Sequence, residues 1–374
     1  MTDDRRGRIA RLAGLVPGLL LVLSGRRRLG YSLLALGAAL LTVFLVSASG
    51  LTSRFSAGRA DHWVALLTLI AGAAVAWGVP LLAVGRGAEP GATSSQWAIA
   101  WREFRKNRLA IAGLYLLAII CLATLLTPFL TPYDPGAIGD IAATRHLPPS
   151  LVHPMGTDRF GRDVLTRVLY GSRVSLSIAL IAVSISITLG TLVGAVAGYA
   201  GGATDNVLMR IVDMLISFPR LVLLITVIAL FDTSILLVIV VLGLTLWPST
   251  ARIVRGEVLS LREREFIEAA RALGFSAPRI VLRHVIPNVM GPVIVAATLG
   301  LGNIILIEAG LSFLGLGVQP PTPSWGVIIK EGASAMVNAY WVTGFAGLAI
   351  VVTVIAFNLV GDGLRDALDP RLNR

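Results

Sequence analysis

Long apolar runs alternate with short charged segments along the chain. Eight of these runs hold about 20 residues or more, the length that an α-helix needs to cross a bilayer. Two lie in the first quarter of the chain, and the predicted spans are 29–51, 63–84, 109–130, 174–200, 206–231, 234–254, 290–314 and 340–361. An earlier apolar run, 12–23, is too short to span. The pattern predicts an all-α polytopic membrane protein with eight transmembrane helices.

Composition agrees with this prediction. Hydrophobic residues make up 55% of the 374 residues and charged residues only 14%, and the mean hydropathy is +0.81. These values exclude an ordinary soluble domain. The net charge is +11, but the arginines mostly flank apolar runs, which indicates membrane topology and not nucleic-acid binding. The lipid bilayer is therefore the expected surrounding of this chain.

Few residues qualify for catalysis or cofactor binding. Neither Lys106 nor Lys330 follows the glycine pattern of a phosphate-binding loop, so the chain carries no ATP-binding site of its own. Cys121 stands alone, which excludes an intramolecular disulfide framework. The four histidines show no metal-ligand spacing, and no serine, histidine and aspartate share a plausible face. The sequence therefore predicts neither an enzyme nor a cofactor or metal.

A Gly/Ser/Pro-rich segment, 86–98, predicts a domain boundary. We expect an N-terminal extension, 1–98, with one short interfacial segment and two spans. A core with six spans, 99–374, follows. Three arginines after the first apolar run stand where a secretory signal would need small residues, so a cleaved leader is not expected.

One polar stretch, 257–288, interrupts the apolar second half of the chain. Helix-forming residues run from 258 to 273, and Gly274 follows where a helix ends in a left-handed residue. Ser276 to Pro278 supply a second helix start, and Pro287 is expected to stop that helix. At helical spacing one side of the first helix is apolar, comprising Val258, Leu259, Phe266, Ala269, Ala270 and Leu273. Arg264, Glu268 and Arg271 gather on the other side, an arrangement that suits docking against another protein.

This hairpin carries a resemblance. Glu268-Ala269-Ala270, Gly274 and Ile286-Pro287 resemble the EAA motif of permease subunits of binding-protein-dependent ABC importers. The resemblance implies a coupling helix that seats in a groove of a cytoplasmic ATPase, with Glu268, Ala269, Ala270, Arg271, Gly274 and Pro287 as the coupling residues. The alternative is an amphipathic hairpin that only caps the helix bundle.

The resemblance extends over residues from about 100 to 374. The stretches 153–163, 311–321, 323–326 and 358–366 are similar to the dipeptide/oligopeptide/nickel group of these permeases. It implies a six-helix type I permease core in the prokaryotic inner membrane, paired with a second permease subunit as a heterodimer. It also implies two cytoplasmic ATP-binding subunits and an extracytoplasmic solute-binding protein. Implied solutes are di- or oligopeptides, with nickel chelates or similar small solutes as further candidates.

The first 98 residues depart from the family pattern, which ordinarily has a short tail there. They form either a lipid-facing appendage or a regulatory or partner-binding element. A cytoplasmic hairpin places both termini in the cytoplasm and residues 131–173 outside. The five arginines of that outer loop count against the positive-inside rule, which is weaker for long loops.

Several charged residues fall inside predicted spans. Glu308 is expected either to line the translocation route or to hold a neighbouring helix, the alternative being a cap near the outer interface. Arg210 and Asp213 are spaced to pair, and Pro219 is expected to break its span just before Arg220.

A rival function, the ion-coupled secondary transporter, needs intramembrane acids, and only Glu308 qualifies. An intramembrane enzyme would need two polar groups at one depth, and the sequence offers none. In the outer loop, Asp158, Gly161 and Asp163 predict a turn, because they lack the alternating acidic spacing of a calcium loop.

Overall fold

The computed structural model describes residues 96–231 and 233–368, and these residues form helices with no strand. The short segment 12–23 and the two N-terminal predicted spans lie outside the described residues. The chain divides into two compact units, 1–93 with 121–134, and 94–120 with 135–374. The described part of the first unit is 121–134. It contains the end of one helix and the whole of a second, short helix.

The helices are α1 (Gln96–Phe104), α2 (Arg108–Leu125), α3 (Thr127–Leu130), α4 (Ile141–Thr144), α5 (Val164–Ala200), α6 (Gly202–Ser217), α7 (Arg220–Leu230), α8 (Ile235–Leu261), α9 (Glu265–Ala272), α10 (Ala277–Ile280), α11 (Ile286–Leu314), α12 (Trp325–Ala333) and α13 (Tyr340–Leu368). A π-helical turn, Val281–Val285, joins α10 to α11. Five helical stretches of the described residues are long and apolar enough to cross a membrane, and α6 with α7 forms a sixth that is bent by 85°. Five of the six spans predicted for the core are confirmed as continuous helical stretches, and the sixth, 206–231, is interrupted by the 85° bend.

The bend between α6 and α7 lies at Phe218 and Pro219, as the proline predicted. The predicted pair of Arg210 with Asp213 is wrong. Asp213 instead accepts a hydrogen bond of 2.6 Å from Arg252 on α8, because α8 lies beside α6 and the arginine side chain is long enough to reach across. Closer to the start of α6, Asp205 and Arg255 form a two-pronged pair at 2.5 and 2.6 Å. Two ion pairs therefore fasten α6 to α8.

Helices α5 and α8 approach closely along a stripe of glycines spaced four residues apart, Gly190, Gly194 and Gly198. A Cβ atom placed on Gly190 would lie 2.6 Å from Cβ of Thr250, and one on Gly198 would lie 2.9 Å from Cβ of Val258. Small residues at this spacing allow two membrane helices to pack backbone against backbone. The stripe brings the ends of α5 and α8 together where the hairpin begins.

Helix α5 starts at Val164, earlier than the predicted span at 174. Asp163 caps it, since its carboxylate accepts a hydrogen bond of 2.8 Å from the Thr166 amide. The first turns hold Arg167 and Arg173, which made them look too polar for a membrane helix. Tertiary contacts, described below, neutralise Arg167 and allow the helix to continue through them.

Candidate functional site

The hairpin begins where α8 ends. The predicted continuous helix from 258 to 273 is wrong, because the helix breaks at 262–264 and α9 starts afresh at Glu265. Arg264 has an extended backbone before α9. Glu265 and Glu268 lie in the first turn of α9 and Arg271 in the last, so each charge complements the helix dipole. The break changes which side chains of α9 face inward.

The inward side of the hairpin packs on the ends of α5, α8 and α11. Ile267, Ala270, Ile280 and Val285 form one buried cluster with Val258 and its neighbours. Ile267 is fully buried, whereas Phe266, Ala269 and Leu273, which were predicted on the apolar side, are exposed. The three-residue break rotates α9 relative to α8. The prediction assumed one continuous helix and therefore assigned the wrong residues of α9 to the inward side.

Two arginines tie the hairpin to the end of α5. The Arg271 guanidinium lies 5.1 Å from the centre of the Tyr199 ring, and its Nε donates a 3.3 Å hydrogen bond to the Tyr199 hydroxyl. Arg262 donates a longer bond of 3.4 Å to the carbonyl of Gly198. Arg271 was predicted to contact a partner. It is exposed, but within this chain it also positions the hairpin.

The outward side of the hairpin is free of contacts over much of its surface. Glu268, Ala269, Gly274 and Pro287 are exposed, and Ala270 alone of the predicted coupling residues is buried. Leu273 is 74% exposed. Gly274 has a φ of +77°, with no atom within 4 Å of where a Cβ would lie, so backbone conformation and not crowding requires glycine there. The hairpin is thus anchored on its inward side, while charged Glu268 and apolar Leu273 are both exposed.

Pro287 does not stop the second helix. It lies in the first turn of α11, which continues to Leu314. It follows directly on the π turn, at one of the first positions of α11, where a helix tolerates proline. Residues 277–314 therefore form one stretch long enough to cross the membrane.

Glu308 on α11 is fully buried. Its carboxylate accepts hydrogen bonds from the hydroxyls of Ser175 on α5, at 3.0 Å, and Ser312, at 2.7 Å. These contacts join α11 to α5, which is the second of the two expected roles. Its lining of the translocation route stays a prediction.

A group of four buried charges, here called the ion cluster, consists of Asp158, Arg162, Arg167 and Glu331. Arg162 donates to Asp158 and to Glu331, each at 2.7 Å. Arg167 donates through Nη1 to the same two carboxylates, at 2.6 and 2.5 Å. The cluster joins the loop before α5, α5 itself and α12.

Sequence analysis missed the ion cluster. It predicted a turn around Asp158, which is confirmed, since the Asp158 carboxylate accepts from the amides of Phe160 and Arg162 at 2.8 and 3.0 Å. The excess of arginines in this loop was the available signal, because buried arginines need carboxylate partners. In the part of the chain that the structure describes, no three metal-ligating side chains converge.

Comparisons with known proteins agree on one family. Residues 190–374 match the family described as binding-protein-dependent transport system inner membrane component. Residues 95–149 match the N-terminal TM domain of oligopeptide transport permease C.

Three curated relatives each match about three quarters of this chain. The dipeptide transport system permease protein of Alkalihalophilus pseudofirmus is 40% identical over 278 residues, 74% of this chain and 91% of the relative. The oligopeptide transport system permease protein of Haemophilus influenzae is 41% identical over 74% of this chain and 89% of its own length. The glutathione transport system permease protein of Escherichia coli is 41% identical over 76% and 93%.

Proposed function

The chain belongs to the family of binding-protein-dependent transport system inner membrane components, and from this we propose that it forms half of the translocation pathway of an ATP-driven peptide importer. It is a multi-pass membrane protein and a transport permease, not an enzyme.

The proposed solutes are di- and oligopeptides. The relatives are named for dipeptides, oligopeptides and glutathione, and all of these are short peptides with at least one free carboxylate. A pathway for such solutes must accept a charged end and side chains of varied size. Selection among peptides is expected to lie largely in the solute-binding protein that delivers them.

The hairpin's division into an anchored and a free side is the observation that carries the coupling proposal. Its inward side is held by Ile267, Ala270 and the Arg271 contact with Tyr199. Its outward side offers Glu268, Leu273 and the turn at Gly274. An ATPase that grips the outward side would move the ends of α5, α8 and α11 as one body. This arrangement favours a coupling element over a simple cap.

The proposed assembly has four kinds of subunit. This chain pairs with a second permease as a heterodimer, two cytoplasmic ATP-binding subunits dock on the hairpins, and a solute-binding protein delivers peptide on the opposite side. In this arrangement both termini of the chain lie in the cytoplasm. Binding-protein-dependent importers require the ATPase and binding-protein partners by definition; the numbers of subunits belong to the proposal.

Purification of the tagged chain from its native membrane tests the proposal. We expect the wild-type chain to recover a second permease and ATPase subunits. Glu268→Lys reverses an exposed charge on the hairpin and is expected to lose the ATPases but keep the second permease. Asp366→Lys is the matched control, because Asp366 is an exposed carboxylate near the end of α13 and outside the hairpin.

Two outcomes would contradict the proposal. Loss of the ATPases in both variants would mean that the net charge matters and the hairpin does not. Recovery of the wild-type chain alone, with solute uptake driven by an ion gradient, would instead support an ion-coupled secondary transporter.

A further inference from the structure

A cavity of about 380 Å³ lies at the bend between α6 and α7, against α8. Its walls are mostly leucine, isoleucine, valine and phenylalanine side chains. Three polar residues also line it, Arg220, Thr245 and Ser249. A mainly apolar cavity with a few converging polar groups, and a volume of about 300–1,000 Å³, is typical of sites for small molecules.

Arg220 is the first residue of α7 and is half-buried. Within 96–231 and 233–368, no carboxylate lies within ion-pair distance of its guanidinium, whereas Arg252 and Arg255 on the adjacent α8 are paired with Asp213 and Asp205. An arginine in a membrane span is energetically costly unless an anion or water contacts its guanidinium. Among the described residues, Arg220 therefore has no carboxylate partner, unlike Arg252 and Arg255 on α8.

The hydroxyls beside Arg220 differ in what they can donate. Thr245 donates to the backbone carbonyls of Val241 and Leu242, at 2.9 and 3.1 Å, so its proton is already used. Ser249 is exposed at the cavity and, in the described chain, its hydroxyl makes no hydrogen bond. Ser249 can therefore donate to an acceptor that enters the cavity, which Arg220 also lines.

The cavity lies within the part of α8 that is predicted to cross the membrane. Thr245 and Ser249 lie near the middle of α8, which runs from Ile235 to Leu261. At 1.5 Å per residue, each is about 15 Å or more from the nearer end of the helix. The predicted span ends at 254, so along the helix Ser249 lies about 8 Å and Thr245 about 14 Å from that end, inside a hydrocarbon layer about 30 Å thick. A solute crossing the membrane passes through this depth.

We propose that this cavity receives the carboxylate of the transported peptide, with the Arg220 guanidinium as its counter-ion and the Ser249 hydroxyl as a second donor. The apolar walls contact the adjacent side chain of the peptide, which fits solutes of varied sequence that share a free carboxylate. This inference rests on the proposed function and adds a specificity-determining residue, Arg220, to it.

Uptake by the assembled importer in liposomes tests the inference. The probes are one dipeptide as the free acid and the same dipeptide as the C-terminal amide. We expect Arg220→Gln to slow free-acid uptake at least tenfold without changing amide uptake, and Arg220→Lys to retain more free-acid uptake than Arg220→Gln. Arg210→Gln is the matched control, an exposed arginine on the same span outside the cavity, and should leave the acid-to-amide ratio at its wild-type value.

A second measurement does not depend on peptide delivery. Ser249→Cys in a Cys121→Ser background is treated with an anionic and a cationic methanethiosulfonate reagent of similar size. We expect the anionic reagent to react at least threefold faster, Arg220→Gln to abolish that preference, and the free-acid dipeptide to slow the reaction more than the amide does.

The outcomes separate the inference from the proposed function. A wild-type importer that takes up no dipeptide with ATP contradicts the proposed function, and the inference with it. Peptide uptake with an unchanged acid-to-amide ratio in Arg220→Gln overturns the inference alone, as does equal reaction with both reagents. Slowing of the thiol reaction by phosphatidylglycerol in phosphatidylcholine vesicles, but not by the dipeptide, would assign the cavity to a lipid phosphate and also overturn it.

Discussion

The ion cluster and the hairpin both concentrate charge, but they treat it in opposite ways. Arg162 and Arg167 are 5% and 1% exposed, and each contacts the two carboxylates of Asp158 and Glu331. On the hairpin, Glu268 is exposed and no ion pair involves it among the described residues. Charges in the cluster therefore hold this chain together, whereas the charge on the hairpin is available to another protein.

The ion cluster and the hairpin also differ in the contacts that hold them in place. The cluster joins residues that lie 164 and 169 residues apart in the chain through charge-assisted hydrogen bonds, and the same two helices, α5 and α12, also share apolar core residues such as Val168 and Trp325. The hairpin is fixed by apolar packing on its inward side and by the contact of Arg271 with Tyr199, and Glu268 on its outward side stays exposed. A substitution in the cluster should thus act on folding, and one on the outward hairpin should act on assembly.

Removing one partner of the ion cluster should give the largest effect. Arg167→Met leaves two carboxylates buried without one of their donors, and breaking a buried pair in this way costs about 3–5 kcal/mol of folding free energy. Thermal unfolding of the purified protein should show the loss. Arg167→Lys should cost less, because Arg167 makes both of its bonds from the single atom Nη1.

The matched control for the cluster is Arg159→Met, since Arg159 lies in the same loop but is exposed. A surface change of this kind should stay within about 0.5 kcal/mol. Equal destabilisation by Arg159→Met and Arg167→Met would mean that the loop responds to any lost charge, and the contrast with the hairpin would fail.

Ile267 and Leu273 allow the packing of the hairpin and its docking to an ATPase to be tested separately. Ile267→Ala removes a fully buried side chain and should destabilise the hairpin by about 2–4 kcal/mol. Leu273→Ala removes a side chain that is 74% exposed, so stability should change by less than about 0.5 kcal/mol. ATPase binding, measured by titration of the purified permease pair, should nevertheless weaken at least tenfold in Leu273→Ala.

Hairpin stability and ATPase binding should respond differently in these two variants. Trypsin cleavage within the hairpin is expected to speed up in Ile267→Ala only, because that variant loosens the inward side. If Leu273→Ala binds the ATPase as tightly as the wild-type chain, the exposed leucine belongs to another surface and the outward side is smaller than proposed.

Sequence reasoning succeeded where one local property decides the structure. The six core spans follow from the length of their apolar runs, and the break at Pro219 follows from its missing N–H. The left-handed residue at Gly274 is equally local. Each of these could be predicted without knowing any neighbour in space.

The failures share a different cause. The inward position of Ile267 depends on a three-residue break that resets the helical phase, and no periodicity within α9 shows it. Pro287 reads as a stop, but the π turn before it makes it part of a helix start. The ion cluster depends on Glu331, far along the chain, so its loop could be recognised only as a turn.

The N-terminal extension should give the smallest effect. The regions compared above lie between residues 158 and 331, and the matched family regions begin at residue 95. Because α1 starts at Gln96, the cut is best placed before it, so the test removes residues 1–94. ATP-driven dipeptide uptake per assembled importer should stay within about twofold of wild type if the extension is an appendage. A folded, ATPase-bound importer that no longer takes up peptide would instead assign the extension a regulatory or partner-binding role.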